Sequence, residues 1–223
     1  MRKAFALFDF DGTIIRGDSI LYFCIFAYKQ GLMSRRQLWQ SGWAVLRYFL
    51  GLFTAEKSKM VALSFLAGRT EADLSALAQL FFRSVLQPRI RPQAAAELES
   101  HRQKGLTILL VTASPSFYLD PLKAEYGIEE VIATRLDIDA SGIVTGLICG
   151  ENCKGIQKPL RLAEYLAAAG DRLDYENSYA YGNSYTDFPM MALCGHKVAV
   201  NSTRRLRKKL QKEAGTVFVN WND

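Results

Sequence analysis

Apolar positions along the chain follow two alternating rhythms. Ala4, Phe5, Ala6 and Leu7 form an unbroken run, as a strand buried on both faces requires, and short apolar runs recur at 106–111, 178–181 and 197–200. Between them, at 93–104, 116–126 and 157–169, apolar residues return every three to four positions, the spacing of an amphipathic helix. A short strand is expected near Val131. Residues 135–147 alternate about Asp139-Ala140-Ser141-Gly142 as a hairpin would. A helix is expected on each side of 197–200, and a strand closes the chain. Strands alternating with helices predict a parallel sheet covered on both faces. The interruption is 16–88, which holds no convincing strand but has helix-like runs beginning near Ser19, Ser34, Thr54 and Thr70. Pro88 and Pro92 bracket the return to the sheet. The expected fold class is therefore α/β, with a sheet domain made of 1–15 and 89–223 and a helical domain inserted at 16–88.

Composition narrows this picture. With 223 residues, 49% of them hydrophobic, the chain can bury one substantial core and a small second module. Met1-Arg2-Lys3 leads directly into the first strand, with no apolar segment and cleavage site, so a cytoplasmic location is expected. No charge-free run reaches the roughly 20 residues that span a bilayer, so no transmembrane segment is expected. Cys24, Cys149, Cys153 and Cys194 form no CxxC pair, and only His101 and His196 could join them. That argues against zinc and for reduced, packed thiols.

The chemistry gathers where the expected strands end. The first strand runs into Phe8-Asp9-Phe10-Asp11-Gly12-Thr13, where a sharp turn at Gly12 brings two carboxylates around one point, as a nucleophile and a proton carrier require. In isolation an Asp-Gly turn is ordinary. The second strand ends in Thr112-Ala113-Ser114, expected to place a hydroxyl and free amides at a helix start, where they suit a phosphate oxygen; a simple helix cap is the plain alternative. Lys158 opens a helix, an odd place for a cation unless an anion binds nearby. Gly182-Asn183 through Asp187 leaves a strand and offers hard oxygen ligands that suit magnesium.

In order and spacing these four motifs resemble those of the haloacid dehalogenase superfamily, in its phosphoserine-phosphatase-like branch, over nearly the whole chain. The resemblance implies a Rossmann-like core with 16–88 as a cap that sets substrate specificity. It also implies Mg2+ and a phosphatase reaction in which Asp9 becomes an aspartyl phosphate and Asp11 serves as acid, then base. Thr112, Ala113, Ser114, Gly12, Thr13 and Lys158 would then surround the phosphate, and the metal would be held by Asp9, Asp11 and either Asn183 or Asp187. Lys154 competes for the lysine role, but Lys158 stands twelve residues before Gly170, the helix length usual in this branch. Asn183 departs from the family pattern, which has an Asp there. That leaves open a catalytically weak binding or regulatory protein, and a phosphotransferase would keep the same residues. Dehalogenation is disfavoured, because dehalogenating members lack the acid at the position of Asp11.

Asp18 occupies the place where phosphoserine phosphatases meet the substrate ammonium group, although a helix cap before Ser19 explains it equally well. Where those enzymes carry a carboxylate-binding arginine, this chain reads Ser58-Lys59-Met60-Val61-Ala62. The expected substrate is therefore a small phosphorylated metabolite or a lipid phosphate other than phosphoserine. Residues 16–88 hold nine basic and four acidic side chains, with no acid between Ile20 and Phe53. Tyr22, Phe26, Trp39, Trp43, Tyr48 and Phe49 are expected as the core of the helical domain. The alternative is a lipid-facing or acyl-binding groove, which would bring peripheral contact with an anionic membrane. The basic run Arg204-Arg205-Leu206-Arg207-Lys208-Lys209 is read as the solvated face of a helix, not as a nucleic-acid site.

Overall fold

The computed structural model describes residues 2–222, so Met1, which precedes the first expected strand, and Asp223 lie outside the described residues. The strands are β1 (Arg2–Lys3), β2 (Phe5–Phe8), β3 (Thr107–Pro115), β4 (Glu130–Ile138), β5 (Val144–Cys149), β6 (Arg172–Leu173), β7 (Tyr179–Gly182), β8 (His196–Val200) and β9 (Thr216–Val219). The helices are α1 (Ser19–Lys29), α2 (Arg35–Phe49), α3 (Ala55–Leu63), α4 (Glu71–Phe81), α5 (Pro92–Gln103), α6 (Pro121–Tyr126), α7 (Gln157–Ala168), α8 (Phe188–Met191) and α9 (Arg204–Leu210).

Seven strands form one sheet in the order β5-β4-β3-β2-β7-β8-β9, parallel except for β5, which runs antiparallel to β4 at the edge. β1 and β6 make a separate short ladder. The central strand β2 is fully buried because the sheet is covered twice. Ala6 and Phe8 face a core shared with the inserted helices and α5, while Leu7 and Phe5 face α7, α8 and α9. The chain leaves β2 toward β3 on one side and later returns through β7 on the other. That reversal opens a crevice at the carboxyl ends of β2, β3 and β7.

The inserted helices begin where polar caps were expected. Asp18, Ser34, Thr54 and Thr70 each accept a backbone amide of the following turn. Ser34 with Gln37 and Thr70 with Asp73 complete reciprocal capping boxes. The two ends of the insertion are tied together, since Ile15 bridges to Ile90 and the Arg91 amide donates to the Ile14 carbonyl. Against the sheet it packs Phe23, Phe26, Phe65 and Phe81.

Several elements differ from the sequence expectations. β3 continues past Val111 to Pro115, pairing again with β4 after a bulge, so Thr112–Ser114 lie within a strand and not at a helix start. Residues 116–126 split into a 3-10 turn and α6, because Pro121 can begin a helix but not continue one. The short strand at Val131 and the first arm of the hairpin are one strand, β4. Cys149 is exposed, while Cys24, Cys153 and Cys194 are buried, and all four are free thiols. The aromatic residues of the insertion do not form one core. Phe26 is buried, whereas Trp39 and Phe49 are 71% and 77% exposed. On α9, Leu206 and Leu210 are buried, and Arg205, Arg207 and Lys209 lie over the rings of Tyr185, Phe218 and Phe188. No helix among the described residues is long and apolar enough to cross a membrane.

Candidate active site

Strand register assembles the site. Phe8 pairs with Leu110 on one side and Tyr181 on the other, so Asp9 emerges level with Val111 and Gly182, one step before Thr112 and Asn183. The Asp9 amide donates to the Tyr181 carbonyl at 2.9 Å, which holds that level. Beyond it the chain turns sharply, with the amides of Thr13 and Ile14 both donating to the Phe10 carbonyl. Gly12 enables this with φ of +75°, and a Cβ built there would lie 2.0 Å from Asn183 Nδ2. The Gly12 turn and the Asn183 side chain are therefore in intimate contact. Gly182 is equally confined, because a Cβ there would lie 2.6 Å from Asp187 Cβ.

Lys158 lies at the base of the crevice. From the first turn of α7 its ammonium donates to Asp9 Oδ1 and to Asp187 Oδ1, each at 2.6 Å, and all three side chains are buried. Lys154 points elsewhere and donates to the Tyr48 hydroxyl at 2.8 Å. Burial alone would push the Lys158 ammonium down, but Asp187 and Asp9 outweigh it and hold it above the ordinary lysine range. Asp9 is raised as well. Burial and the facing Asp187 raise its carboxyl to about 6, against the pull of Lys158. Asp187 is pinned at both oxygens, because Oδ2 also accepts from the amides of Asn183 and Ser184 and from the Ser184 hydroxyl.

Asp11 sits in a different environment. Its Oδ1 accepts from the Ser19 amide at 2.7 Å, and its Oδ2 accepts from the hydroxyls of Ser19 and Ser114. Ser19 also meets Tyr118 at 2.8 Å. Burial, then the nearby Asp18, raises the Asp11 carboxyl to about 7. A carboxyl poised there holds a proton near neutral pH and can release it. Thr112 is buried, and its Oγ1 accepts from the Ser114 amide at 3.2 Å, leaving its hydroxyl proton free to donate. Thr13 donates to Asp9 Oδ2 at 3.3 Å.

Above these groups lies a cavity of about 180 Å3 between the sheet and the inserted helices. Its floor includes Asp11, Ala113 and Ser114; its helical wall includes Asp18, Ile20, Val45, Tyr48, Phe49 and Lys59. Asp18 fills both of its expected places, capping α1 through the Leu21 amide and lining the cavity. Lys59 had no expected role beyond standing where relatives carry an arginine. Here it reaches from α3 into the core, donating to the Ala113 carbonyl, to Asn152 Oδ1 at 2.6 Å and to Thr134 Oγ1 at 3.3 Å. Burial lowers its ammonium to about 8. Ser19, Tyr118, Asn152 and Thr134 were also missed, since each reaches the site through a long-range contact that no local motif announces.

The donor chemistry fits a hard cation. Two buried carboxylates, Asp9 and Asp187, share the single ammonium of Lys158, so this corner of the crevice carries one more acid than base. No cluster of three or more His, Cys, Asp or Glu side chains among the described residues is set to hold a metal by itself. A cation here would therefore need neutral oxygens and water as well, as magnesium accepts.

Residues 6–192 match the family described as haloacid dehalogenase-like hydrolase. The chain belongs to that family. It is 28% identical to a histidinol-phosphatase of Neisseria meningitidis, over 98% of this chain and 99% of that one. It is also 28% identical to a phosphoserine phosphatase of Mycobacterium tuberculosis, over 95% of this chain and 69% of that one. Among solved structures, a protein of unknown function from Bordetella pertussis Tohama I superposes with a TM-score of 0.86 at 28% identity, covering 97% of this chain and 99% of that one. A phosphoserine phosphatase solved as a phospho-aspartyl intermediate analogue gives a TM-score of 0.66 at 20% identity, covering 98% of this chain and 94% of that one. That likeness is one of fold, and it bears out the expected Rossmann-like core. Family membership, with phosphatases among the relatives, bears out the expected enzyme class, a phosphoric monoester hydrolase.

Proposed function

We propose that the chain is a magnesium-dependent phosphatase in which Asp9 is the nucleophile, Asp11 the acid and base, and residues 16–88 the cap that selects the substrate. The observation that carries this reading is the buried contact of Lys158 with Asp9 and Asp187, beside a second carboxyl, Asp11, held near neutral pH. A phosphate monoester carries close to two negative charges, so a carboxylate approaches it only among cations. Bound magnesium would supply positive charge against the phosphate oxygens. The Asp9 carboxylate, the Asp11 carbonyl and the Asn183 amide oxygen would hold it, because Asp187 already has both oxygens engaged.

In the first step an Asp9 oxygen bonds to phosphorus as the ester P–O bond breaks, and Asp11 gives its proton to the departing alkoxide. In the second step Asp11 takes a proton from water as the water oxygen attacks phosphorus, which frees Asp9 and releases phosphate. Lys158 and the Thr112 hydroxyl stabilise the phosphoryl oxygens throughout. Asp187 positions Lys158 through its own fixed hydrogen bonds.

For the substrate, the helical side of the cavity sets Asp18 beside an apolar wall of Ile20, Val45 and Phe49 and the ring of Tyr48, with Lys59 and Lys154 also lining it. That lining fits a phosphomonoester whose alcohol carries an amine and an apolar or aromatic body. The relative named histidinol-phosphatase, matched end to end, makes histidinol phosphate the first compound to test. The test measures phosphate release from p-nitrophenyl phosphate with magnesium and with EDTA, then from histidinol phosphate, phosphoserine and a lysophosphatidate. Magnesium-dependent hydrolysis, fastest with histidinol phosphate, is expected. Absence of magnesium-dependent hydrolysis across the panel would leave a binding protein on a phosphatase fold.

A further inference from the structure

The outer face of α2 is unlike the rest of the surface. Trp39, Trp43, Leu46 and Leu50 follow one another at helical spacing and are all exposed, joined past the helix end by Leu52 at 68% exposure. Trp39 and Trp43 stack with ring centroids 5.8 Å apart. With Tyr28 of α1, they line an apolar groove at whose end Arg35 donates to the Tyr28 hydroxyl. The opposite face of α2, with Ser41 and Ala44, is the one that turns inward. A fold that needed these aromatics for its own core would have placed them there.

Their rim is basic. Arg35 and Arg36 stand at one end of the face. At the other, Arg47 lies over the rings of Trp43 and Phe53, and Lys57 lies over Phe53. No acidic side chain occurs between Ile20 and Phe53. An apolar stripe with tryptophans, flanked by arginines and free of acids, is complementary to the interfacial layer of an anionic bilayer, where rings enter the headgroup boundary and guanidinium groups meet phosphates. A second copy of the chain is a poorer occupant, because self-pairing would bring Arg35, Arg36 and Arg47 against their own equivalents.

We infer that the outer face of α2 docks this protein on an anionic lipid surface, with Trp39, Trp43, Leu50 and Leu52 inserted and Arg35, Arg36 and Arg47 on the headgroups. This inference does not depend on the proposed reaction. Tyr48 and Phe49, on the same helix, line the cavity, so a docked protein would hold the cavity near the bilayer.

Cosedimentation of the full chain with phosphatidylcholine vesicles, with and without phosphatidylglycerol, tests the inference. Binding is expected to the anionic vesicles and not to the neutral ones, and it should weaken as salt rises. Trp39→Glu with Leu52→Glu should abolish it without changing the circular dichroism spectrum, and Arg35→Gln with Arg36→Gln should lower the partition coefficient by about tenfold. Neither pair touches the cavity, so hydrolysis of p-nitrophenyl phosphate serves as an independent control of folding. Failure to sediment with anionic vesicles at low salt would overturn the inference. So would equal binding to neutral vesicles, undiminished binding of the Trp39 and Leu52 variant, or a dimer in solution that this variant dissociates.

Discussion

The two walls of the cavity are built on opposite principles. On the sheet side, polar side chains are fixed by other polar groups: Asp187 by Ser184 and Lys158, Asp11 by Ser19 and Ser114, and Thr112 by the Ser114 amide. On the helical side the wall is largely apolar, with Ile20, Val45 and Phe49; its two charged groups are Asp18, which caps α1, and Lys59, which donates across to Ala113, Thr134 and Asn152. A wall organised by charge is intolerant of substitution, because each removal strands a buried partner. A wall organised by shape can change its residues and its ligand while the chemistry beneath persists. The difference accords with the proposal that reaction belongs to the sheet and selectivity to the insertion.

The largest expected effects come from breaking the charged wall. Asp9→Asn should lower kcat by about a thousandfold or more, with an unchanged circular dichroism spectrum, whereas Val45→Ala should alter KM by less than about tenfold and leave kcat nearly intact. Comparable losses from both substitutions in steady-state assays would erase the distinction between the walls. Next comes Lys158→Met. It leaves Asp9 and Asp187 buried without their cation and should cost about 3–5 kcal/mol in denaturant unfolding, with part of the loss recovered by adding Asp187→Asn. No recovery in the double variant would mean that Lys158 stabilises through packing and not through charge.

A smaller effect concerns pH. In the proposed reaction Asp11 must be protonated to assist the leaving group, and burial raises its carboxyl to about 7, so the protonated fraction is high below that pH and falls above it. The rate with an alkyl phosphate should therefore decline about tenfold per pH unit above 7, while p-nitrophenyl phosphate, whose leaving group needs no proton, should show a shallower decline. Parallel profiles for the two substrates would remove Asp11 from the acid role. The smallest expected change is that of Asn183→Asp, which puts a charged group at the proposed ligand position and should tighten magnesium activation by about tenfold. An unaltered magnesium titration would exclude residue 183 from the metal.

Legibility in the sequence follows the same division. An apolar run announced β2 because a doubly covered strand leaves no polar position, shorter runs announced β7 and β8, and the caps Ser34, Thr54 and Thr70 announced their helices through local hydrogen bonds. The motifs around Asp9, Lys158 and Asp187 lie at strand and helix ends, which is where the sheet brings them together. Lys59 and Ser19 were not legible as site residues. Their partners Asn152 and Ser114 are 93 and 95 positions away, and only the packing of the insertion on the sheet joins them. The exposed stripe of α2 was misjudged for a related reason. Periodicity shows that a helix has an apolar face, but not whether the fold supplies anything to cover it.

The central claim is that Asp9 itself carries the phosphoryl group during turnover. Acid quench of the enzyme with its phosphorylated substrate in the first turnover, followed by peptide mass spectrometry, addresses this directly. A single phosphoryl adduct should appear on Asp9 and be absent from the Asp9→Asn variant. Rapid turnover with no adduct, or an adduct on any other residue, would contradict the account.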